Sequence, residues 1–329
     1  MTPVDPIALL SMLRAQGPVS ASTLAARLDC TIRAVEAAVA RLEALGVMVA
    51  QGPGPGPGYR LVESPEPLNE AGVRGRLDAR TNGQVPVLEV LSLVDSTNRH
   101  LAASVARGAA PGTVAIAECQ TGGQGRRGRR WVSPFGQNVY LSLYTGPLNR
   151  PAGERGAFPL LVGLGIVQAL ARLGPAGLCL KWPNDLMWDD AKLGGILIET
   201  TAQGEGGMIV GVGINVGFSG PMSAAVDQRW SSLERVTGGA DLSRAQVAAA
   251  VIEGVLEASR RLEASGLAGL RRDWAAYDGA LGRRVQVHVC GEVIPGIARG
   301  VDAGGRLIVD TGRARRIFGA GDVSLRWRS

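Results

Sequence analysis

The chain changes its pattern twice, near residue 65 and near residue 280, and no single fold class accommodates all three stretches. In residues 1–64 the apolar spacing is helical. Ile7, Leu9, Leu10 and Leu13 suit one helix. Ser20 can cap a second, with Leu24, Ala25 and Leu28 inside. Thr31 can cap a third, with Val35, Val39, Leu42 and Leu45 as a core stripe and Gly46 as its stop. Short strands at Val47–Val49 and Tyr59–Leu61 flank the Pro-Gly turn 52–58, and Pro65 and Pro67 mark a linker. Three helices and a hairpin predict a winged helix-turn-helix.

From 65 to 279 strands alternate with helices, the pattern of an α/β domain on a mixed sheet. Strand-like runs are Val87–Val94, Thr113–Ala117, Asn138–Tyr144, Leu178–Trp182, Gly195–Thr200 and Met208–Val216. Helices are expected at Ser96–Arg107, Ala157–Leu173 and Arg244–Ser265, the last with Ser243 and Gln246 as a capping box and Gly266 as its stop. From 280 to 329 short strands at Arg284–Val289, Gly296–Gly300, Leu307–Val309 and Val323–Arg326 alternate with Gly-rich turns, which predicts a small all-β barrel.

Composition excludes several classes. The four cysteines (Cys30, Cys119, Cys179, Cys290) form no C-x-x-C pair, which argues against a zinc site and a disulfide framework and fits a cytoplasmic protein. The apolar stretch Ile7–Leu13 is cut by Arg14 and makes a poor signal peptide. The longest apolar run, Ala157–Ala171, is too short for a bilayer and reads as a buried helix. A net charge of +6 favours an anionic partner without choosing between nucleic acid and nucleotide.

Of the 35 basic residues only Lys181 and Lys192 are lysine, and they lie in one short window. A lysine ammonium is a compact, strongly hydrated point charge, suited to a phosphate or a developing oxyanion. The window reads Lys181-Trp182-Pro183-Asn184-Asp185, then Lys192-Leu193-Gly194-Gly195. It follows a strand, where open α/β sheets bind ligands; the plain alternative is a strand-ending turn with ordinary surface charge. A second segment, Gln120 to Trp131, combines glycines that let backbone N–H groups approach an anion with arginines that fork phosphate. Flexible nucleic-acid-binding tails share that composition, but this segment sits between strands. It lacks the Gly-Lys-Ser/Thr end of a Walker A loop. A third segment, Asp95-Ser96-Thr97-Asn98, opens a helix; its residues either cap the helix or hold polar ligand atoms. His100 and His288 have no partner pattern and read as structural.

Together these segments resemble the bacterial bifunctional biotin protein ligase and biotin-operon repressor family over nearly the whole chain. Residues 95–98 match its DSTN, Gln120–Arg129 its Q-x-x-G-R-G-R-x-G-R loop, Lys181–Asp185 its KWPND, Lys192–Gly195 its K-L-x-G and Gly211–Asn215 its G-x-G-I-N strand. The resemblance implies a central α+β ligase domain of the class II synthetase type and a C-terminal SH3-like β-barrel. It implies that biotin and ATP, with Mg²⁺, give biotinyl-5′-AMP and pyrophosphate, and that biotin then passes to a lysine of a biotin carboxyl carrier protein. Arg126 and Lys192 would neutralise the attack of one anion on another, with Arg129 and Lys181 assisting. Asp185 would orient or deprotonate the incoming amine. Ser96, Thr97 and Gln120 would hydrogen-bond the biotin head group, with Asn98, Gly123, Gln124, Gly125 and Gly195 lining the ligand and Asn215 near the nucleotide. The Gly122–Trp131 loop would act as a lid that orders on binding. The adenylate would promote a homodimer that binds operator DNA.

The chain departs from the family in two places. Gln124 stands where the loop usually carries arginine, which keeps hydrogen bonding and loses a charge. Residues 1–62 hold five arginines and four acids, a weak surplus for a DNA reader, and the expected recognition helix offers Thr31, Arg33, Glu36, Ala37, Ala38 and Arg41. Two other readings therefore stand beside the first: a ligand-sensing DNA-binding regulator without ligase turnover, and a lipoate-type acyl ligase of the same central fold.

Overall fold

The computed structural model describes residues 4–52, 58–63, 66–201, 207–218, 221–239, 242–289, 291–321 and 323–327. The tip of the Pro-Gly turn, Pro65 and Cys290 lie outside them.

The N-terminal unit is α1 (Pro6–Gln16), β1 (Val19–Ser20), α2 (Ala21–Arg27), α3 (Ile32–Ala44), β2 (Val49–Gly52) and β3 (Gly58–Leu61). Each helix starts at a side-chain oxygen that accepts an otherwise unpaired amide. Asp5 Oδ1 accepts from Ile7 N at 2.9 Å, Ser20 Oγ from Thr23 N at 3.1 Å and Thr31 Oγ1 from Ala34 N at 3.2 Å. Such caps contribute about 1 kcal/mol each. Leu9, Leu24, Val35 and Leu42 are fully buried between the helices. Antiparallel pairing in the order β1-β3-β2 closes the unit. Two-residue β1 escaped the sequence pattern because its pairing with Tyr59 is long-range. Ala38 faces this core, so it is not part of the outward face of α3, where Thr31, Arg33, Glu36, Ala37 and Arg41 are exposed.

The central unit opens with the short helices α4 (Glu70–Arg74) and α5 (Ala79–Gly83), then β4 (Leu88–Leu91), α6 (Thr97–Ala106), β5 (Val114–Ala117) and β6 (Val139–Pro147). It continues with α7 (Ala152–Gly156), α8 (Phe158–Ala171), β7 (Cys179–Lys181), β8 (Asp185–Trp188), β9 (Ala191–Thr200) and β10 (Gly207–Ile214), and ends with α9 (Leu233–Val236), α10 (Arg244–Ser265) and α11 (Leu270–Ala275). The seven strands run β4-β5-β6-β10-β9-β8-β7, with β4 parallel to β5 and the other pairs antiparallel, so the sheet is mixed as expected. Side chains alternate across a strand. Leu141, Leu143, Val210, Val212 and Ile196 bury one face under α8 and α10. Tyr140, Ser142, Gly211 and Gly213 point to the other face, which α6 covers in part. Helices α8 and α10 approach closely because both are glycine at the crossing: a Cβ on Gly165 would stand 2.2 Å from Gly254 O.

The capping box of α10 forms as expected, with Ser243 N donating to Gln246 Oε1 at 2.9 Å and Gln246 N to Ser243 Oγ at 3.2 Å. Strand β8 was not expected. Asp185 reads as part of a polar turn, yet it opens a strand returned by the left-handed residues Asp189 (φ 44°) and Asp190 (φ 58°).

Five strands make the C-terminal unit: β11 (Arg284–Val289), β12 (Glu292–Val301), β13 (Leu307–Asp310), β14 (Arg315–Phe318) and β15 (Val323–Trp327). They pair as one sheet, β14-β13-β12-β11-β15. The expected barrel is therefore not closed by a ladder among the described residues: β14 and β15 remain edges. The chain between them turns toward the central unit, where the carbonyls of Ala320 and Gly321 accept hydrogen bonds from Arg126.

The three units share buried chemistry. Cys119 and Phe135 of the central unit belong to the apolar cluster of the N-terminal helices, and Phe135 N donates to Leu45 O at 2.8 Å. Burial pushes the Cys119 thiol up to about 12, so it is an inert core side chain. The Glu118–Arg244 ion pair is almost wholly buried; Glu118 Oε1 also accepts from Leu68 N at 2.7 Å, and Arg244 Nη2 donates to Glu66 O at 2.6 Å. On the far side Trp182 Nε1 donates to Gly305 O at 3.1 Å.

Candidate active site

Strand register assembles the site. Lys181 pairs with Asp185, Asp185 with Gly195, Gly195 with Gly213, and Gly213 with Tyr140, so five strands contribute to one row. Opposed residues share a face of the sheet. The two glycines leave open floor in that row. Trp131 lies on it: a Cβ at Gly213 would stand 2.5 Å from the indole and one at Gly195 would stand 3.3 Å from it. Any side chain at Gly213 would expel that ring.

Lys192 reaches the same place from β9. Its Nζ is 2.7 Å from Asp185 Oδ1 and 5.4 Å from the centroid of Trp131. Both partners of this pair are mostly buried, with side chains 12% and 19% exposed, so the interaction is screened less than a surface pair. The backbone of Lys192 is fixed too. Its N donates to Arg229 O at 3.0 Å, and its carbonyl accepts from Ser231 N at 2.9 Å. Asn215, 5% exposed, spends its side-chain amide on Ser231 O at 3.0 Å and Lys192 O at 3.4 Å. These bonds tie Asn215 to the backbone that carries Lys192.

Lys181 stands at the end of β7, its Nζ 4.8 Å from the centroid of Trp327. Burial holds its ammonium below the ordinary lysine value, and Asp185 opposes that shift. Next in chain, Trp182-Pro183 is a cis peptide, and Asn184 Nδ2 ties the turn to Ile196 O at 2.6 Å. Arg126 Nη1 donates to Asn184 Oδ1 at 3.3 Å and Nη2 to Gly321 O at 2.6 Å, so the loop arginine lies at the same strand end as both lysines.

The loop itself is stitched. Gly125 N donates to Arg129 O at 2.7 Å, Trp131 N to Gly123 O at 2.9 Å, and Gln124 bridges Arg130. Gly123 is required by crowding: a Cβ there would meet Trp131 O at 2.8 Å and Ser133 Oγ at 2.9 Å. Gln124 and Arg129 are exposed.

The start of α6 supplies a polar cluster. Ser96 occupies the N-cap without a side-chain capping bond, so plain capping does not account for this segment. Thr97 N and Oγ1 both donate to Gln120 Oε1, at 2.9 and 3.1 Å, and Ser142 Oγ donates to Thr97 Oγ1 at 2.7 Å or Asn98 Oδ1 at 2.6 Å. Asn98 Nδ2 donates to Glu199 Oε2 at 2.6 Å, and its side chain lies over Gly211, where a Cβ would stand 2.3 Å away. Gln120 Nε2 donates to Ser133 Oγ at 3.2 Å.

The structure brings Lys181, Lys192, Asp185 and Arg126 together at one strand end and Ser96, Thr97, Asn98 and Gln120 together at the start of α6, while Thr31, Arg33 and Arg41 lie apart on α3. The sequence did not reveal Trp131 as a ring over glycine, nor Ser133, Ser142, Glu199 and Trp327. The Gly-x-Gly of β10 was the available signal, because glycine inside a strand marks close approach. His100 Nε2 pairs with Glu89 Oε2 at 2.7 Å, a partner the sequence pattern did not indicate. Among the described residues no group of three or more His, Cys, Asp or Glu could hold a metal.

Fold and site define the class: an α/β enzyme domain with a cluster of cations at one strand end, carrying a helix-turn-helix in front and a small β-sheet domain behind. Family models match in the same order, an HTH domain over residues 7–60, the biotin/lipoate A/B protein ligase family over 90–217 and the biotin protein ligase C-terminal domain over 280–326. The chain is 37% identical to the bifunctional ligase/repressor BirA of Escherichia coli over 83% of its length and 82% of that protein. It is 34% identical to BirA of Salmonella typhimurium over 98% and 97%. A biotin protein ligase from Aquifex aeolicus, solved with biotin and ATP, superposes with a TM-score of 0.65 at 28% identity, covering 74% of this chain and all of that one. The chain belongs to the biotin protein ligase family, among the members that carry a helix-turn-helix domain.

Proposed function

We propose that this protein activates biotin with ATP and transfers it to a lysine of a biotin carboxyl carrier protein, and that its N-terminal domain represses transcription from operator DNA. The observation that carries the ligase reading is the joint placement of Lys181, Lys192, Arg126 and Asp185 at one strand end, beside the polar cluster of α6. A sensor without turnover has no need of the Lys192–Asp185 pair. A lipoate-type ligase would not account for the helix-turn-helix match.

In the first step the biotin carboxylate oxygen attacks the α-phosphorus and pyrophosphate leaves. Two anions must meet, and Lys192, Lys181 and Arg126 offset the repulsion and the charge that develops, with Arg129 assisting. Mg²⁺ would arrive on the triphosphate and neutralise phosphate oxygens. Ser96, Thr97 and Gln120 are the hydrogen-bonding set for the biotin head group, and Gly123, Gly125 and Gly195 give the ligand close access to backbone. In the second step the carrier's amine attacks the activated carbonyl carbon, AMP leaves, and Asp185 takes the amine proton. Asp185 is held by Lys192 in the ligand-free protein. A phosphate that draws Lys192 away frees the carboxylate for this role.

The same loop supports a link to DNA. Its flanks, Cys119 and Phe135, sit inside the helix-turn-helix core, so a ligand that reshapes Gln120–Trp131 is sensed there. The β2–β3 hairpin is the wing of this domain, Thr31, Arg33 and Arg41 its exposed contacts, and the adenylate-bound form a homodimer on the operator. The finer reading of the C-terminal unit is an SH3-like sheet that leaves its barrel open.

Two assays test these readings. Incubation with ATP, labelled biotin and a carrier-domain protein is expected to leave label on the carrier's lysine; label that stays free contradicts the ligase. Removal of residues 1–65 is expected to abolish operator binding in a mobility-shift assay, and unchanged affinity contradicts the DNA assignment.

A further inference from the structure

We propose that Trp327, at the end of the C-terminal sheet, is a positioning residue for Lys181: its indole face fixes the ammonium at the strand end where the triphosphate is to bind. The proposal rests on the ligase reading above.

Lysine carries a flexible four-carbon stem, and immobilising it costs side-chain entropy. Strand β7 fixes the backbone of Lys181 and leaves the ammonium to be placed by its neighbours. Trp327 supplies the placement, with its ring centroid 4.8 Å from Nζ. The ring is itself held. Strand β15 pairs Trp327 with Val285 of β11. The guanidinium of Arg283 lies 5.4 Å from the same centroid and also pairs with Asp190 in the β8–β9 turn. Gly279 lies under the ring edge and ties this junction to the strand of Lys181: its N donates to Leu180 O at 2.9 Å, and a Cβ there would stand 2.9 Å from Cys179 Sγ and in ordinary contact, 3.4 Å, with the indole. The segment that carries Lys181 is thus clasped by the C-terminal unit from both sides of the sequence, through Trp327 and through the Gly305 carbonyl that receives Trp182. The C-terminal sheet becomes part of the machinery for the first step.

An indole face attracts a cation by its quadrupole, and the attraction strengthens when the cation is partly dehydrated. Lys181 meets that condition, since burial is the main influence lowering its pKa. The charged groups facing it are Asp185 from β8, which stabilises the ammonium, and Lys192 from β9, Arg326 from β15 and Arg129 from the loop, which destabilise it. Trp327 adds to the favourable side against three cations. Removing the ring lowers the pKa of Lys181 further, so the charged form is lost at a lower pH.

The test is biotin-dependent exchange of pyrophosphate into ATP by the full-length protein, wild type against Trp327→Leu and Trp327→Phe, over a range of pH. Trp327→Leu is expected to raise KM for ATP about tenfold with KM for biotin unchanged. The alkaline limb of kcat/KM for ATP is expected to move to lower pH, with Trp327→Phe between the two because it keeps a weaker π face. Thermal unfolding of each variant separates positioning from folding. A folded Trp327→Leu protein with wild-type KM for ATP and an unmoved alkaline limb overturns the proposal. So does a variant that loses stability and kcat while KM and the pH limb stay put. Wild-type protein without biotin-dependent exchange removes the ligase reading, and this inference with it, before any variant is compared.

Discussion

Lys192→Ala is expected to lower the rate of biotinyl-adenylate formation by about 10²- to 10³-fold, the scale of losing one preorganised charge-stabilising donor in a water-poor site. The physical reason is that attack of a carboxylate on a phosphate ester brings like charges together. Lys192 is closely confined, 12% exposed and pinned through its own backbone to Arg229, Ser231 and Asn215. The fold should survive, because Asp185 keeps Lys181 as a cationic neighbour opposite it on β7. Quenched-flow measurement of adenylate formation with saturating biotin and ATP checks the rate, and circular dichroism checks the fold. Turnover at the wild-type rate contradicts the role given to Lys192.

Arg244→Met is expected to destabilise the protein by about 3–5 kcal/mol, because it strands Glu118 as an uncompensated buried charge. Arg244 is 8% and Glu118 4% exposed, and the pair also binds the backbone of Glu66 and Leu68 where the N-terminal unit joins the central one. For a chain of this size the loss corresponds to a fall in Tm on the order of 10 °C. The double variant Arg244→Met/Glu118→Gln is expected to recover part of it, since no charge is then left without a partner. Denaturant unfolding of both variants checks this, and a double variant less stable than the single one contradicts the argument. Glu118 lies two residues before Gln120, so the single variant should also disturb the polar cluster at the start of α6.

What was legible in the sequence followed local rules. Helix α10 announced both ends through Ser243, Gln246 and Gly266, and the structure has it where they put it. The row Lys181, Asp185, Gly195 was legible as a motif because its members are close in sequence, though not as a row: Asp185 belongs to a strand whose turn consists of two left-handed aspartates rather than glycines. Strand β1 was not legible because it is two residues long and its partner is some forty positions away, and β14 because Arg315-Arg316-Ile317-Phe318 buries only its last residue and shows no apolar alternation, although its partner β13 is adjacent in sequence. Long-range chemistry was equally hidden. Trp131 rests on Gly213, Lys181 on Trp327, and Glu118 pairs with a residue 126 positions away. No periodicity encodes such pairs. In the C-terminal unit the turns and four of the five strands were visible, while β14 and the approach of Ala320 and Gly321 to Arg126 were not.

The central claim is that the strand end bearing Lys181, Asp185 and Lys192 activates biotin. Pyrophosphate release from ATP, measured with and without biotin and with no carrier present, tests it most directly. The account predicts release that depends on biotin, amounts to about one equivalent per protein, and stops there until a carrier is added. Binding of biotin without any biotin-dependent release would contradict it, and would favour a ligand-sensing regulator on the same scaffold.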